Sequence, residues 1–168
     1  QRFQEHVRVP RAELDRYFHD HRPSITVLVP SYGEEVDVIR KTLLSAGLQE
    51  YPDIRVVLLV DDNPYPKKDS DKKRLEETRN IADDLTQLLK EPREKFTQIL
   101  REFERNMPRS EFIHAKHVAR LADDYSWAAA GLDKLANMEI IEDHVDEFFA
   151  NQVLRNLAKE LRLTAEAL

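Results

Sequence analysis

"ITVLVPSYGEEVDVIRKTLLSAGLQEYPDIRVVLLVDD", Ile25 to Asp62, decides the fold. "ITVLVP", Ile25 to Pro30, is a β-branched apolar run, predicted to be a strand that stops at Pro30. A loop and a helix follow, with Val36, Ile39, Leu43 and Ala46 on one apolar stripe and Glu34 and Glu35 in the first turn, where they complement the dipole. Pro52 closes this unit. "IRVVLLV", Ile54 to Val60, is unbroken in its apolar character, which predicts a strand covered on both faces, as in a parallel sheet. Strand, helix, strand at this spacing is a βαβ unit with a right-handed crossover.

Working outward, "PRAELDRYFHDHRPS", Pro10 to Ser24, predicts a short helix with a proline near each end. Beyond Pro66 the sequence turns helical. One helix is expected through Leu75, Ile81, Leu85 and Leu88 or Leu89, and a second begins at Pro92 with Phe96, Ile99, Leu100 and Phe103 on one face. A third is expected from an N-cap at Ser110 to Ala136, and a last one around Asp143 to Leu163. The expected organisation is an N-terminal helical segment over 1–24, a βαβ unit over 25–66 and a helical region over 67–168. Two strands are too few for a stable open parallel sheet, so the chain reads as the front part of a longer domain.

Composition narrows the function classes. The 168 residues are 41% apolar and 35% charged, with a net charge of −6 and no cysteine. No disulfide framework and no thiolate chemistry are available, and the overall field does not favour nucleic acid. No apolar window approaches the roughly 18 residues of a membrane span, and no signal peptide is visible at the N-terminus.

Ligands in open α/β sheets bind outside the carboxyl ends of the strands. Those ends carry Pro30, Ser31, Tyr32, Gly33 and Glu34 after the first strand, and Asp61, Asp62 and Asn63 after the second. An aromatic face stacks on a nucleobase, and a carboxylate accepts from a base N–H or a ribose hydroxyl. The bland alternative makes Tyr32 a surface residue and the aspartates caps of the next segment.

The ordered set Pro30-Ser31-Tyr32-Gly33-Glu34, Thr42-Leu43, Gln49-Glu50-Tyr51-Pro52 and Asp61-Asp62 resembles the opening of family 2 glycosyltransferases, inverting nucleotide-sugar enzymes of GT-A fold, and within them the cellulose-synthase-like bacterial branch. The resemblance covers Ile25 to Asp62. It implies a partial Rossmann-like α/β nucleotide-binding unit, with Tyr32 and Glu34 against the uracil and ribose and Asp61 accepting from the uracil. Pro30, Ser31 and Asp62 complete the implied nucleotide site. Gly33 stands where the family usually has Asn, and Asn63-Pro64 where Gly-Ser is common. The implied partners are a UDP-sugar donor and a carbohydrate or lipid-linked acceptor, with no nucleic acid. The implied location is cytoplasmic, at the cytosolic face of a membrane if the remainder is membrane-embedded. The Mg²⁺ or Mn²⁺ of such enzymes is held by a later Asp-x-Asp, and a later acid activates the acceptor, so the metal ligands and the catalytic residue are expected outside this chain. Asp69-Ser70-Asp71, among lysines with no strand before it, reads as a solvated loop, and Asp123-Asp124 reads as mid-helix.

Two rival readings exist. "VLLVDDNP" also resembles the first strand of a response-regulator receiver domain, a phosphorylation-controlled signalling module. Met107-Pro108 stands at the distance where a receiver has Met-Pro, but Asn106 replaces the expected Asp and the segment before it has helical charge spacing. A helical interaction domain with the βα portion as scaffold is the third reading. His114 and His117 have a zinc-compatible spacing with no third ligand near in sequence, while His6, His19 and His21 form no motif. Trp127 reads as core packing or as a contact with a part outside this chain, and Lys67, Lys68, Lys72, Lys73 and Arg74 as a charged loop with the alternative of meeting phosphates.

Overall fold

The computed structural model describes residues 9–21, 23–51, 53–106 and 115–168. The chain is mixed α/β and mostly helical. It divides into two compact units, Gln1–Ala82 and Asp83–Leu168, with the boundary inside the third helix. Pro52, Met107, Pro108, Ser110, His6 and His114 lie outside the described residues.

In the first unit, helix α1 (Arg11–Asp20) leads to strand β1 (Ile25–Ser31), helix α2 (Val36–Gly47), strand β2 (Ile54–Val60) and helix α3 (Asp69–Leu88). The strands pair in parallel, Ile25 opposite Ile54 and Ser31 opposite Val60. Ile25 N–H donates to Asp53 O and Asp61 N–H to Ser31 O, both at 2.9 Å, so the ladder is closed at each end. Strand β1 runs one residue past Pro30. Ile25 and Ser31 bond toward β2, so Pro30, of opposite parity, turns its ring nitrogen to the outer edge, where no ladder bond is lost.

Helix α2 packs on one face of the sheet and buries Ile39, Leu43 and Leu44. Val27, Val29, Ser31 and their partners Val56, Leu58 and Val60 share the face parity of that side. The other face carries Thr26, Leu28 and Pro30 beside Arg55, Val57 and Leu59. Leu28 there is 57% exposed and Leu59 is exposed too. The expectation that β2 is covered on both faces is therefore corrected among the described residues: α2 covers one side. Phe18 of α1 meets Tyr51 edge to face at 5.1 Å between ring centroids, tying α1 to the turn before β2.

Helix α3 begins at Asp69, so Asp69-Ser70-Asp71 forms its first turn rather than a loop. Acids in that turn complement the helix dipole, and Asp69 takes Lys72 at 2.7 Å. Leu75, Thr78 and Ile81 are its buried residues.

The second unit holds α4 (Lys90–Asn106), α5 (Ala115–Met138), α6 (His144–Phe148), a π-helical segment (Phe149–Arg155) and α7 (Asn156–Ala167). Ala129, Leu132 and Ala136 of α5 and Ala158 of α7 are buried, and the three alanines let α5 and α7 approach closely. Asp143 caps α6, accepting from Val145 N–H at 2.7 Å while Asp146 reaches back to Asp143 N–H at 3.2 Å. The single helix expected from Asp143 to Leu163 is interrupted by the π-helical turn. Its i→i+5 spacing brings Phe149 and Leu154, both buried, to one side. Asp124 of α5 is buried and ion-paired to Lys95 of α4 at 2.7 Å, and Lys95 lies 5.0 Å from the Trp127 ring centroid. Trp127 meets Phe96 edge to face at 6.0 Å, but both rings are exposed, so Trp127 does not lie in the core expected of it.

Candidate functional site at the strand ends

Parallel pairing sends the carboxyl ends of β1 and β2 to the same edge, and the bond from Asp61 N–H to Ser31 O fixes their level. Tyr32 and Asp61 thus follow the last paired residues of adjacent strands. Tyr32 is 74% exposed and its ring makes no aromatic contact among the described residues. Asp61 is exposed, its carboxylate uncommitted to any hydrogen bond or ion pair among the described residues.

Glu34 departs from its expected place. Helix α2 starts at Val36, with Glu35 at the N-cap position and Asp37 as the first-turn acid. Glu34 instead turns back to the strand end: its Oε2 accepts from Ser31 Oγ at 2.9 Å and from the Tyr32 backbone N–H. These two bonds, the Ser31 hydroxyl foremost, hold the Glu34 carboxyl below the usual glutamate range. Ser31 is buried and Glu34 exposed, so the pair is a clasp that shapes the loop carrying Tyr32.

Gly33 inside this clasp has φ of +72°, the left-handed region. Asn tolerates that region better than other residues with a β-carbon, which gives one physical reason for Gly here and Asn in the resembling pattern. Pro30 stays part of β1 and is exposed.

Asp62 is half-buried and faces Arg74 of α3, Oδ1 to Nη2 at 4.0 Å. Arg74 also faces Asp71 at 3.8 Å, and a β-carbon built on Gly33 would sit 3.9 Å from the same Nη2. Arg74 therefore borders both strand-end loops. Lys72 and Lys73 do not, being paired with Asp69 and Glu77. Asp71, Arg74, Thr78 and Ile81 recur at helical spacing, so the inward face of Arg74 was readable from the buried stripe it extends.

No group of three or more His, Asp or Glu residues able to hold a metal ion occurs among the described residues. Asp69 is occupied by Lys72 and Asp71 faces Arg74, so this acid pair does not fit a divalent cation. His117 packs edge-on to Phe103 at 6.5 Å, and His21 stacks on Tyr17 at 4.9 Å. The segment Lys90–Asn106 is helical where a receiver domain would need a strand before its Met-Pro.

The fold and this edge define an α/β unit with an acid- and tyrosine-bearing site at the ends of two parallel strands. In sequence the chain is similar to the succinoglycan biosynthesis protein ExoW of Rhizobium meliloti (strain 1021), 33% identical over 75 residues. That match covers 45% of this chain and 19% of the relative, so the chain spans well under half the length of the protein it resembles. No protein-family model matches the chain, and no solved structure matches it. No helix among the described residues is long and apolar enough to cross a membrane.

Proposed function

We propose that this chain carries the nucleotide-binding unit of a family 2 glycosyltransferase of GT-A fold, receiving a UDP-sugar whose sugar passes to an acceptor hydroxyl. The similarity to a succinoglycan biosynthesis protein supports a sugar-transfer role. The observation that carries the nucleotide reading is the register of the strand ends: the Asp61 N–H bond to Ser31 O sets an uncommitted carboxylate beside the loop of an open tyrosine. In this reading the Tyr32 ring stacks on the uracil, Asp61 accepts from the base N–H, and the Ser31–Glu34 clasp holds the loop in shape. Glu34 meets the ribose with its remaining oxygen.

The reaction would form a bond between the acceptor oxygen and the anomeric carbon as the bond to the diphosphate breaks, with inversion and loss of the hydroxyl proton. In this reading the described residues bind and orient the nucleotide, and none of them is assigned to that step.

Titration of the chain with uridine, followed by NMR, tests the reading. Tyr32→Ala is expected to weaken uridine by about tenfold, the lower part of the range for one base–aromatic stack. Wild-type protein indifferent to uridine would sink the reading.

A further inference from the structure

The cluster of cations after β2 is not uniform. Lys72 and Lys73 pair only along α3, with Asp69 at 2.7 Å and Glu77 at 3.6 Å, whereas Arg74 Nη2, besides its own i,i+3 pair with Asp71 at 3.8 Å, reaches beyond the helix to Asp62 at 4.0 Å and lies beside Gly33. Both carboxylate separations exceed hydrogen-bond reach, and no hydrogen bond ties the guanidinium among the described residues. Its donors are thus held near two acids without being consumed by them. The Arg74 side chain is 40% exposed against 13% for Asp62, so the cation is the outer group of the pair. Gly33 adds no side chain on that side of the loop.

We infer that Arg74 is the phosphate contact of the strand-end site, taking the diphosphate of the nucleotide whose base Tyr32 and Asp61 receive; this rests on the nucleotide reading above. The planar guanidinium fork matches two phosphate oxygens at once, which a lysine ammonium does not. Asp62 and Asp71 orient the fork. This gives Asp62 a positioning role instead of a contact with the base.

The chain, with Arg74→Gln, Arg74→Lys and the control Lys73→Gln, is titrated with uridine, UDP and inorganic pyrophosphate at low ionic strength without divalent metal. Circular dichroism checks that each variant folds. Wild-type protein is expected to bind UDP about tenfold more tightly than uridine, the worth of one charged hydrogen-bonded contact. Arg74→Gln should erase that advantage with uridine affinity unchanged, Arg74→Lys should keep part of it, and Lys73→Gln should keep it all. An advantage that survives Arg74→Gln, or falls equally in Lys73→Gln, overturns the assignment while leaving the nucleoside site standing. Pyrophosphate binding that depends on Arg74, with uridine ignored, supports the anion contact and removes the nucleotide reading. Failure of all three ligands overturns both.

Discussion

The Ser31 hydroxyl donates to Glu34 Oε2 at 2.9 Å, closing a tight loop between the buried end of β1 and the acid that precedes the Glu35 N-cap of α2. The same oxygen accepts the Tyr32 backbone N–H. A carboxylate used twice as an acceptor is favoured in its charged form, which is why the Glu34 carboxyl lies low. The clasp is therefore fully present above the ordinary glutamate range and is lost as pH falls through the depressed folded value. NMR titration should place the Glu34 carboxyl midpoint below that of an ordinary glutamate, with the Tyr32 amide shift following the same curve. In Ser31→Ala the midpoint should rise. An unchanged midpoint would show that the hydroxyl does not hold the acid.

Gly33 connects that clasp to Arg74, and its φ of +72° makes a clean substitution test. A β-carbon there would meet Arg74 Nη2 at 3.9 Å, an ordinary contact, so the cost is conformational and not steric. Gly33→Ala should destabilise the chain by about 1 kcal/mol, and Gly33→Asn by less, since Asn visits the left-handed region more readily. Urea denaturation of the two variants checks the order. Equal losses would remove the backbone argument for glycine.

Much of this arrangement was readable in advance, and the misses have physical causes. The bounds of β2 follow from an unbroken apolar run, but such a run does not say whether one face or two is covered. The period of 3.6 predicts that Asp143 to Leu163 is helical, yet an i→i+5 turn through Phe149 and Leu154 leaves no distinct signature in so short a stretch. An acid just before a helix suits the dipole equally well whether it stays or folds back, and Glu34 folds back to Ser31. Strand order placed Tyr32 and Asp61 just past the carboxyl ends of β1 and β2, where the structure has them. Arg74 stands in a run of cations, and only the roll of α3, legible from the Thr78 and Ile81 stripe, separates it from Lys72 and Lys73.

The one-sided cover of the sheet predicts unequal costs for two leucines. Leu44 of α2 is 2% exposed, whereas Leu28 of β1 lies on the open face. Leu44→Ala should cost about 2–5 kcal/mol, through lost transfer energy and the cavity left behind. Leu28→Ser should shift the urea midpoint only slightly, by about 0.5 kcal/mol or less, as surface substitutions do. A large loss at Leu28 would mean that the face is covered in solution.

Lys95 and Asp124 couple α4 to α5 through one ion pair, and Asp124 Oδ2 is buried without a hydrogen-bond partner. Lys95→Ala would leave a buried carboxylate with no cation, and a loss of roughly 2–3 kcal/mol is expected, reduced from the fully buried case because Lys95 is partly exposed. Adding Asp124→Leu to that variant should recover much of the loss, since an apolar side chain removes the uncompensated charge. Chemical denaturation of the two single variants and the double variant gives the coupling. Additive losses would mean that the pair contributes no interaction of its own.

Asp61 offers the sharpest test of base recognition, because its carboxylate only accepts hydrogen bonds. Uracil presents a donor at N3 and cytosine an acceptor at the same position, so the wild-type site should favour uridine over cytidine. The preference should be about tenfold, modest because Asp61 is exposed and water competes for it. Asp61→Asn replaces one acceptor oxygen with an amide donor, and the Asn side chain can then serve either base by rotating. The variant should bind uridine more weakly and lose most of the discrimination, while Tyr32→Ala should weaken both nucleosides in parallel, since stacking does not distinguish them. Chemical-shift titration with the two nucleosides measures both effects. If Asp61→Asn leaves the ratio of affinities unchanged, the acid does not read the base, and the strand-end site loses its acceptor.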